Sequence, residues 1–540
     1  MTTNPESTMV TPNGSRPVLG IDLGTTNTCV AIVADDPAGR VLPNAEGKLT
    51  TPSVVFFSDD GTATVGDSAK AELERDPGRV VTLIKRDMGR DDYAVEAAGG
   101  RWYPQQVSAV ILRKVVEDAL ACLGHPVPAE GPIADAVITV PAYFGHAERK
   151  ATVDAGKLAG LNVMDIVNEP TAAAVAHGLR GAAGGRTVLV YDLGGGTFDV
   201  TIVRMLPGEV RVVATGGDAR LGGTDWDRRL ADLVLDKLGG IDPDADPRTD
   251  AGLMAQLVLQ VEEVKIALSR RAASRFRVRT TQGPSDWIMV SREEYEEATE
   301  DLLERTIDFT RDLLGRARHK GVPTIDDLLL VGGMTRSPAV PRRIAAAFPD
   351  LPAARPPGDA EHIVAKGAAR MAARAARDRA RGAGAPARDE QPGEDIPTVV
   401  NVTSKGYGVV VVRNFDRPGD GKMLSWMIEP NTQVPTQHHD VLYTVYDNQR
   451  RMTIQVYESM TDVLTDDVAD HVRLAEGDLV GLPAGLRKGH QVTLDVELGT
   501  DGLLRIRAHE ANGAALRLQA RVSGELAQED MDAPLPGIRR

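Results

Sequence analysis

The chain has 540 residues, 42% hydrophobic and 26% charged, with a formal net charge of −15. That balance is ordinary for a soluble globular protein of several domains, while the acidic surplus and an aromatic content of 4% argue against nonspecific nucleic-acid binding and base-stacking platforms. No run of 18 or more apolar residues marks a membrane-spanning helix, and two cysteines, Cys29 and Cys122, give no disulfide framework and point to a reducing cytoplasm.

Residues 1–17 are polar, lack a basic-then-apolar signal pattern and are expected to form a disordered leader. Residues 18–30, VLGIDLGTTNTCV, read as strand, turn, strand, with Asp22 before the turn. Residues 79–90 carry Lys85 and Arg86, which without context read as a solvated helix face. An amphipathic helix is expected over 105–123, with Val107, Ile111, Val115 and Ala119 on one face. A buried strand ends at Pro141, a helix follows from about Ala147 to Ala159, and LNVMDIVNEPTAAAVAHGL gives a short strand, a turn at Glu169-Pro170 and an Ala-rich helix. Alternating strands and helices predict a mixed α/β domain.

Residues 188–201, VLVYDLGGGTFDVT, repeat the first motif about 170 residues later. Three glycines let the backbone approach a ligand, because no Cβ stands in the way. Asp192 and Asp199 flank the turn and suit a hydrated cation. One such hairpin is an ordinary Gly-rich turn; two suggest an internal duplication, with two lobes each offering a phosphate-binding hairpin across a cleft. Neither matches the G-x-x-x-x-G-K-[ST] loop. A further Gly-rich loop is expected over 216–226. Within a largely helical stretch, Leu257, Val261, Val264 and Leu268 mark a buried stripe, and Glu262, Lys265 and Ser269 share another face, either a solvated salt-bridge face or a ligand-facing edge. LLLVGGMTRSP (328–338) repeats the strand-then-glycine theme, and its Arg336 can stack on a base. Helices follow from about Ala339 to Ala347 and from about Ala360. Residues 378–398 read as a flexible linker. From 399 to 522 the pattern becomes period-two strands, an antiparallel β domain with a tight turn at Asp501-Gly502.

The stretches GIDLGTTNTCV, NAEGKLTTPS, VITVPAYF, NEPTAAAVAHGL, YDLGGGTFDV, GGDARLGGTDWDRRL, LLLVGGMTRSP and NTQVPTQ…YDNQRRMTIQV resemble, in order, those of the 70-kilodalton heat-shock chaperones of DnaK type. The resemblance implies an actin-like, two-lobed α/β ATPase domain over 18–377, with a mostly helical insert at 226–308, then a linker at 378–398 and an antiparallel β-sandwich peptide-binding domain over 399–522. It implies ATP/ADP, Mg²⁺ and K⁺ as cofactors. Gly24, Thr25, Thr26 and Asn27, with Gly194, Gly195, Gly196 and Thr197, would wrap the phosphates, supported by Gly222 and Gly223. Asp22, Asp192, Asp199 and Glu169 would hold the metal, mostly through water. Lys85 would position the attacking water, with Thr197 assisting. Glu262, Lys265, Ser269, Gly332, Gly333, Arg336 and Glu361 would enclose adenine and ribose. Pro141 and Arg149 would relay between nucleotide and β domain. Val412, Leu442, Val445, Met452 and Ile454 would line the peptide site, Ile454 reading equally as sandwich core.

The chain also departs from the family pattern. It stops about 18 residues after the last strand, so the helical lid is expected to be missing and residues 523–540 to form a disordered tail. The linker reads PTVVNV, with Asn401 where the family has Asp. Asp165 stands where the family offers an Arg to its J-domain co-chaperone, which reverses the sign of that contact. The insert RNFDRPGDG (413–421) enters an arch of the peptide site. The expected function is a cytoplasmic, ATP-dependent chaperone of the stress response, with slow ATP hydrolysis. It would bind extended apolar polypeptide, with a nucleotide-exchange factor as partner and weak J-domain stimulation. The alternative is a nucleotide-switched module dedicated to one partner. Cys29 reads as a small buried apolar residue, with a redox role open.

Overall fold

The computed structural model describes residues 16–34, 38–90, 92–97, 99–177, 185–241, 247–354, 360–382, 397–460, 464–500, 502–510, 515–516, 521–522 and 528–539. The expected leader (Arg16 and Pro17 apart), residues 383–396 of the expected linker and Asp501 lie outside them.

Apolar, β-branched runs broken by glycine build the first sheet. β1 (Val18–Leu23) folds back on β2 (Asn27–Ile32), with Asp22 opposite Cys29. Ala134–Val140 lies parallel beside β1 and Leu161–Asn168 beyond it, while Arg40–Leu42 pairs with β2. A smaller sheet contains β3 (Thr62–Val65), Val55–Phe57 and Val80–Val81. Helix Pro104–Cys122 and α1 (His146–Leu158) bury Val107, Ile111, Ala151 and Ala155 in one core with Ile21 and Ile138. Leu161–Asn168 runs straight into α2 (Glu169–His177), so the turn expected at Glu169-Pro170 is the first turn of a helix. Proline is tolerated there because its missing N–H would have no intrahelical partner.

The second sheet repeats the plan. β4 (Arg186–Leu193) and β5 (Phe198–Leu206) form a hairpin with Asp192 opposite Asp199, β6 (Glu209–Asp218) adds to β5, and Asp327–Val331 lies parallel beside β4. Each sheet therefore has a hairpin, an antiparallel strand beyond its second arm and a parallel strand beside its first. β6 extends to Asp218 and α3 (Gly223–Ile241) starts soon after, so the loop expected over 216–226 is only the stretch 219–222. α4 (Ala251–Leu268) buries Leu257, Val261, Val264 and Leu268, the stripe read from spacing. Two short hairpins, built from Ala273–Phe276 with Ile288–Ser291 and from Arg279–Thr280 with Gly283–Pro284, make this region less purely helical than expected. α5 (Ile363–Gly382) lies against both halves: a Cβ on Gly20 would overlap the Ala369 backbone, and one on Gly367 the Ala172 carbonyl. It continues into the segment expected to be flexible from 378, because its Ala and Arg residues are strong helix formers.

β7 (Thr398–Val402) pairs in parallel with β6, Val399 beside Val210, and Asn401 pairs with Val434. The domain boundary expected at 399 thus falls inside a strand of the second sheet. An apolar, β-branched segment beside an unpaired edge gains a full ladder of hydrogen bonds there. The β domain then forms two antiparallel sheets, the first containing Tyr407–Val412, Lys422–Ile428, Arg451–Ser459 and His471–Val480, the second Thr436–Tyr443, Gln491–Leu498 and Leu504–Glu510. Ile454, Val456, Val492, Leu494 and Val496 alternate inward into one core. The tail expected to be disordered is ordered over 528–539, with a helix Gln528–Asp532 and a strand Gly537–Ile538, because Leu535 and Ile538 find an apolar surface on the α/β domain.

The β domain docks at the start of α1. The His146 backbone N–H donates to Glu458 Oε1 at 3.0 Å, and His146 Nδ1 accepts from the Leu504 N–H at 2.8 Å. The Glu458 carboxylate fills the space where Gly145 lacks a side chain. Burial and the Glu458 charge push the Glu148 carboxyl up to about 7, against the pull of Lys405 and the Gly145 N–H. The docked arrangement therefore holds an extra proton between the ordinary carboxyl value of 4.5 and about 7. Docking weakens as pH rises through that window. In Glu148→Gln the two domains are expected to stay docked at pH 8, where the wild-type chain loosens. Small-angle scattering from pH 5 to 8 checks this, and a pH-independent wild-type radius of gyration would refute it.

Candidate functional site

Both hairpin turns face one cleft of about 400 Å³ between the two halves. Gly24, Thr25, Thr26 and Asn27 line it from one side, and Gly194, Gly195, Gly196 and Thr197 from the other. The turns touch, since a Cβ on Gly195 would run into the Thr26 side chain and one on Gly196 into Thr25. Gly222 backs the second turn from outside the cleft lining, where a Cβ would stand 2.5 Å from Gly196 C and Thr197 N. The Gly223 and Thr224 N–H groups donate to the carbonyls of Gly194 and Gly195 at 3.0 and 2.8 Å. The start of α3 thus holds the turn in place.

Asp22, Asp192 and Glu169 line the cleft, and Asp199 lies outside the lining, buried within range of their charges. Asp22 ends its strand as Asp192 ends the matching one, and Asp199 opens β5 opposite Asp192. Asp22 Oδ1 accepts from the Thr139 hydroxyl at 3.0 Å, and Asp199 Oδ1 accepts from the Ala142 N–H at 3.1 Å. Asp199 Oδ2 is buried with no hydrogen-bond partner. Glu169 accepts from Lys85 Nζ at 2.5 Å, and Lys85 is 4% exposed. The pair Lys85–Arg86 is therefore no solvated face. The 3₁₀ turn Ile84–Asp87 aims both inward, and Arg86 donates to the Gly196 carbonyl at 2.7 Å and to Asp225 Oδ2 at 2.6 Å.

Burial, then the charge of Glu169, raises the Asp22 carboxyl to about 7. The same causes push Asp192 and Asp199 well above the usual carboxylate range. One ammonium group does not neutralise four carboxylates in a dry site. An added cation would, and Asp199 Oδ2 is buried without a hydrogen-bond partner to offset its charge. Among the described residues no three acidic, His or Cys side chains are set to grip a bare ion. The donor set fits Mg²⁺ held through its own water shell, the habit of a cation that dehydrates reluctantly.

Higher in the cleft, Glu262, Lys265 and Ser269 present one face of α4, opposite Gly332, Gly333, Arg336 and Glu361. Gly332 adopts φ +85°, which frees the turn after Asp327–Val331 to bend over Leu193. Lys265 Nζ donates to Asp227 Oδ2 at 2.8 Å, Glu262 pairs with Lys70 across the two halves at 2.5 Å, and Arg336 pairs with Glu361 at 2.9 Å. Cys29 also borders the cleft and is buried. Sequence reasoning missed Lys70, Arg86, Asp225, Asp227 and Tyr143, whose buried phenol bonds Thr197 and is pushed well above its ordinary pKa by burial and by Asp199. Lone charged or aromatic residues carry no periodic signal; only the VPAYF stretch hinted at Tyr143. Pro141 and Arg149 lie outside the cleft. Pro141 precedes the Ala142 that holds Asp199, and Arg149 donates to Asn168 Oδ1 at 2.5 Å and to the Phe144 carbonyl at 3.0 Å.

Two facing Gly-Thr hairpins on duplicated sheets, joined to a β domain, give the comparisons their context. The Hsp70 family profile, described as Hsp70 protein, matches residues 18–533. The chain belongs to the Hsp70 family. It is similar to the "Chaperone protein DnaK" of Thermosipho melanesiensis, 37% identical over 525 residues, covering 95% of this chain and 82% of the relative. It is also similar to the "Chaperone protein DnaK" of Thermotoga neapolitana, 36% identical over 534 residues, covering 97% and 83%. Hsp70 proteins are chaperones and ATPases that bind ATP or ADP with Mg²⁺, with an actin-like ATPase domain and a β-sandwich substrate-binding domain.

The positions matched to the Hsp70 peptide site are not one open pocket. Met452 and Ile454 are 8% and 2% exposed and belong to the sandwich core; Leu442 packs against it half-buried, and Val412 and Val445 are half-buried. Phe415, from the insert RNFDRPGDG, stacks edge-on against Tyr443 at 6.4 Å, beneath Lys488. Gly222→Ala is expected to weaken ATP binding at least tenfold, because its Cβ meets rigid backbone and must shift the Gly194–Thr197 turn. Isothermal titration checks this; unchanged affinity would remove Gly222 from the support of the turn.

Proposed function

We propose that this Hsp70-family chain is an ATP-dependent chaperone that hydrolyses ATP slowly and binds extended apolar polypeptide in its β domain. The observation that carries the reading is the buried Lys85–Glu169 pair facing three high-pKa aspartates beneath two touching glycine hairpins. Phosphoryl transfer to water needs positioning and charge neutralisation rather than covalent chemistry. When bound, Mg²⁺ would screen the phosphates and draw charge from the leaving group. Amides of the two turns would hold the phosphates, and Asp22, Asp192, Asp199 and Glu169 would order the metal's waters, with K⁺ nearby. Lys85 would orient the attacking water and Thr197, anchored by Tyr143, would assist. Glu262, Lys265, Ser269, Gly332, Gly333, Arg336 and Glu361 would hold adenine and ribose. Pro141 and Arg149 would carry the state of the site to the docked β domain.

A second reading, a nucleotide-switched module for one partner, is favoured by Phe415 of the insert packing edge-on against Tyr443, the sequence neighbour of Leu442. Fluorescence titration of the chain with unrelated extended apolar peptides separates the two: micromolar binding of several supports the chaperone, binding of none the dedicated module. Lys85→Ala is expected to lower single-turnover hydrolysis 100-fold or more while ATP affinity stays within about threefold; normal hydrolysis would overturn the role given to Lys85. Co-chaperones enter through the family. A nucleotide-exchange factor fits, whereas Asp165 presents an anion where a J-domain expects a cation. A standard J-protein is therefore expected to raise the ATPase rate less than twofold, and a several-fold increase would remove that claim.

A further inference from the structure

After the β domain the chain returns to the α/β domain. Gln106 Nε2 donates to the Asp530 carbonyl at 3.1 Å. Farther on, Gly537 pairs with Thr62 and Ile538 with Ala63, in parallel with β3. The Arg539 N–H donates to the Ala63 carbonyl at 2.8 Å, and its guanidinium pairs with Asp60. Leu535 and Ile538 pack on the core that holds Val55, Phe57 and Ala63. Without Gly537–Ile538, β3 would be the outer strand of this sheet. A free strand edge is a template for another strand, with backbone bonds supplying affinity and side chains selectivity. Pro534 and Pro536 stiffen the approach toward extended geometry. The exposed ion pair adds little; burial of the two aliphatic side chains is the larger contribution.

We propose that the β3 edge is a docking site whose ligand is the chain's own segment 528–539, bound in cis as a strap across the two domains. The inference does not rest on the chaperone reading. Only residues 523–527 separate the paired strand Arg521–Val522 from the helix Gln528–Asp532. Six Cα steps reach about 20 Å at most. While the strap is docked, the β domain stays within that distance of the first α/β half, independently of β7. So short a tether also gives the segment an effective concentration in the millimolar range, which favours its own β3 over that of a second copy. β3 shares its sheet with Val80–Val81, the strand that leads into the turn carrying Lys85. Strap and cleft therefore lean on the same small sheet.

The test uses the full chain carrying Cys122→Ser, with Thr62→Cys and Gly537→Cys at the paired positions. A Cβ at Gly537 has room, 3.8 Å from Thr62 Cγ2, and Cys29 is buried. Neighbouring strands lie within disulfide reach. Mild oxidation is expected to give a disulfide in the monomer, formed at least tenfold more slowly when Ile538→Asp is added. A disulfide found only in dimers would overturn docking in cis, and no disulfide at all would overturn the site. Hydrogen exchange on the cysteine-unaltered chain is the second measurement. The Arg539 amide is expected to exchange at least tenfold more slowly than in Leu535→Asp/Ile538→Asp, and equal rates would overturn the strap.

Discussion

Four neighbouring carboxylates, three of them lining the cleft and Asp199 buried beside them, set against the buried Lys85 ammonium, fix the terms for the rest of the molecule. Unfolded, these side chains would drift apart and ionise freely. Folded, Asp22, Asp192, Asp199 and Glu169 are fixed by backbone, at strand ends and at the first residue of α2, so repulsion has no local escape. The charge is relieved by protonation or by a cation. A site that stores unfavourable charge in this way favours a cation. Its rigidity comes from two sheets of the same design, each ending in a hairpin that carries the acid.

The closeness of the hairpins depends on what they lack. Gly195 and Gly196 meet Thr26 and Thr25 with no room for a methyl group, and Gly222 presses from behind. Gly20 and Gly367 play the corresponding part away from the cleft, letting α5 touch both β1 and α2. Two ion pairs then join the halves. Arg86 and Asp225 are each 11% exposed, and Arg86 also donates to the Gly196 carbonyl, whereas Lys70 and Glu262 are each 33% exposed. The drier pair holds a fixed geometry, since losing either partner would strand a buried charge. The wetter pair, Lys70–Glu262, contributes less, because solvent screens it.

Much of this was legible before any coordinates. Glycine punctuating β-branched runs marks strands and hairpins through local chemistry, and the spacing of Leu257, Val261, Val264 and Leu268 fixes a helix face. Asp22 and Asp192 follow from the repeated strand–glycine–threonine motif, whereas Lys85 reads locally as part of a solvated face and takes its role only from the family resemblance. What failed to show is long-range. Arg86 matters because Asp225, 139 positions away, meets it. Tyr143 matters because Thr197 does. Glu169-Pro170 reads as a turn because proline usually breaks helices, yet the first turn is where it does no harm. The tail reads as disordered because PLPGIR has no pattern of its own; its order comes from an edge strand some 475 residues earlier in the chain and from the core on which Leu535 and Ile538 pack.

The linker carries the last step. Asn401 stands where the family has an acidic residue, yet β7 joins β6 through backbone groups, and a ladder accepts almost any side chain that is not proline. Side-chain identity matters instead where the second domain meets α1: His146, Glu148 and Glu458 are polar and share one small volume, and Gly502 leaves room for Arg149. Strand pairing therefore fixes where the β domain sits, and this polar cluster decides how firmly. Affinity between the domains can then vary with protonation of Glu148 while the register of β7 stays unchanged.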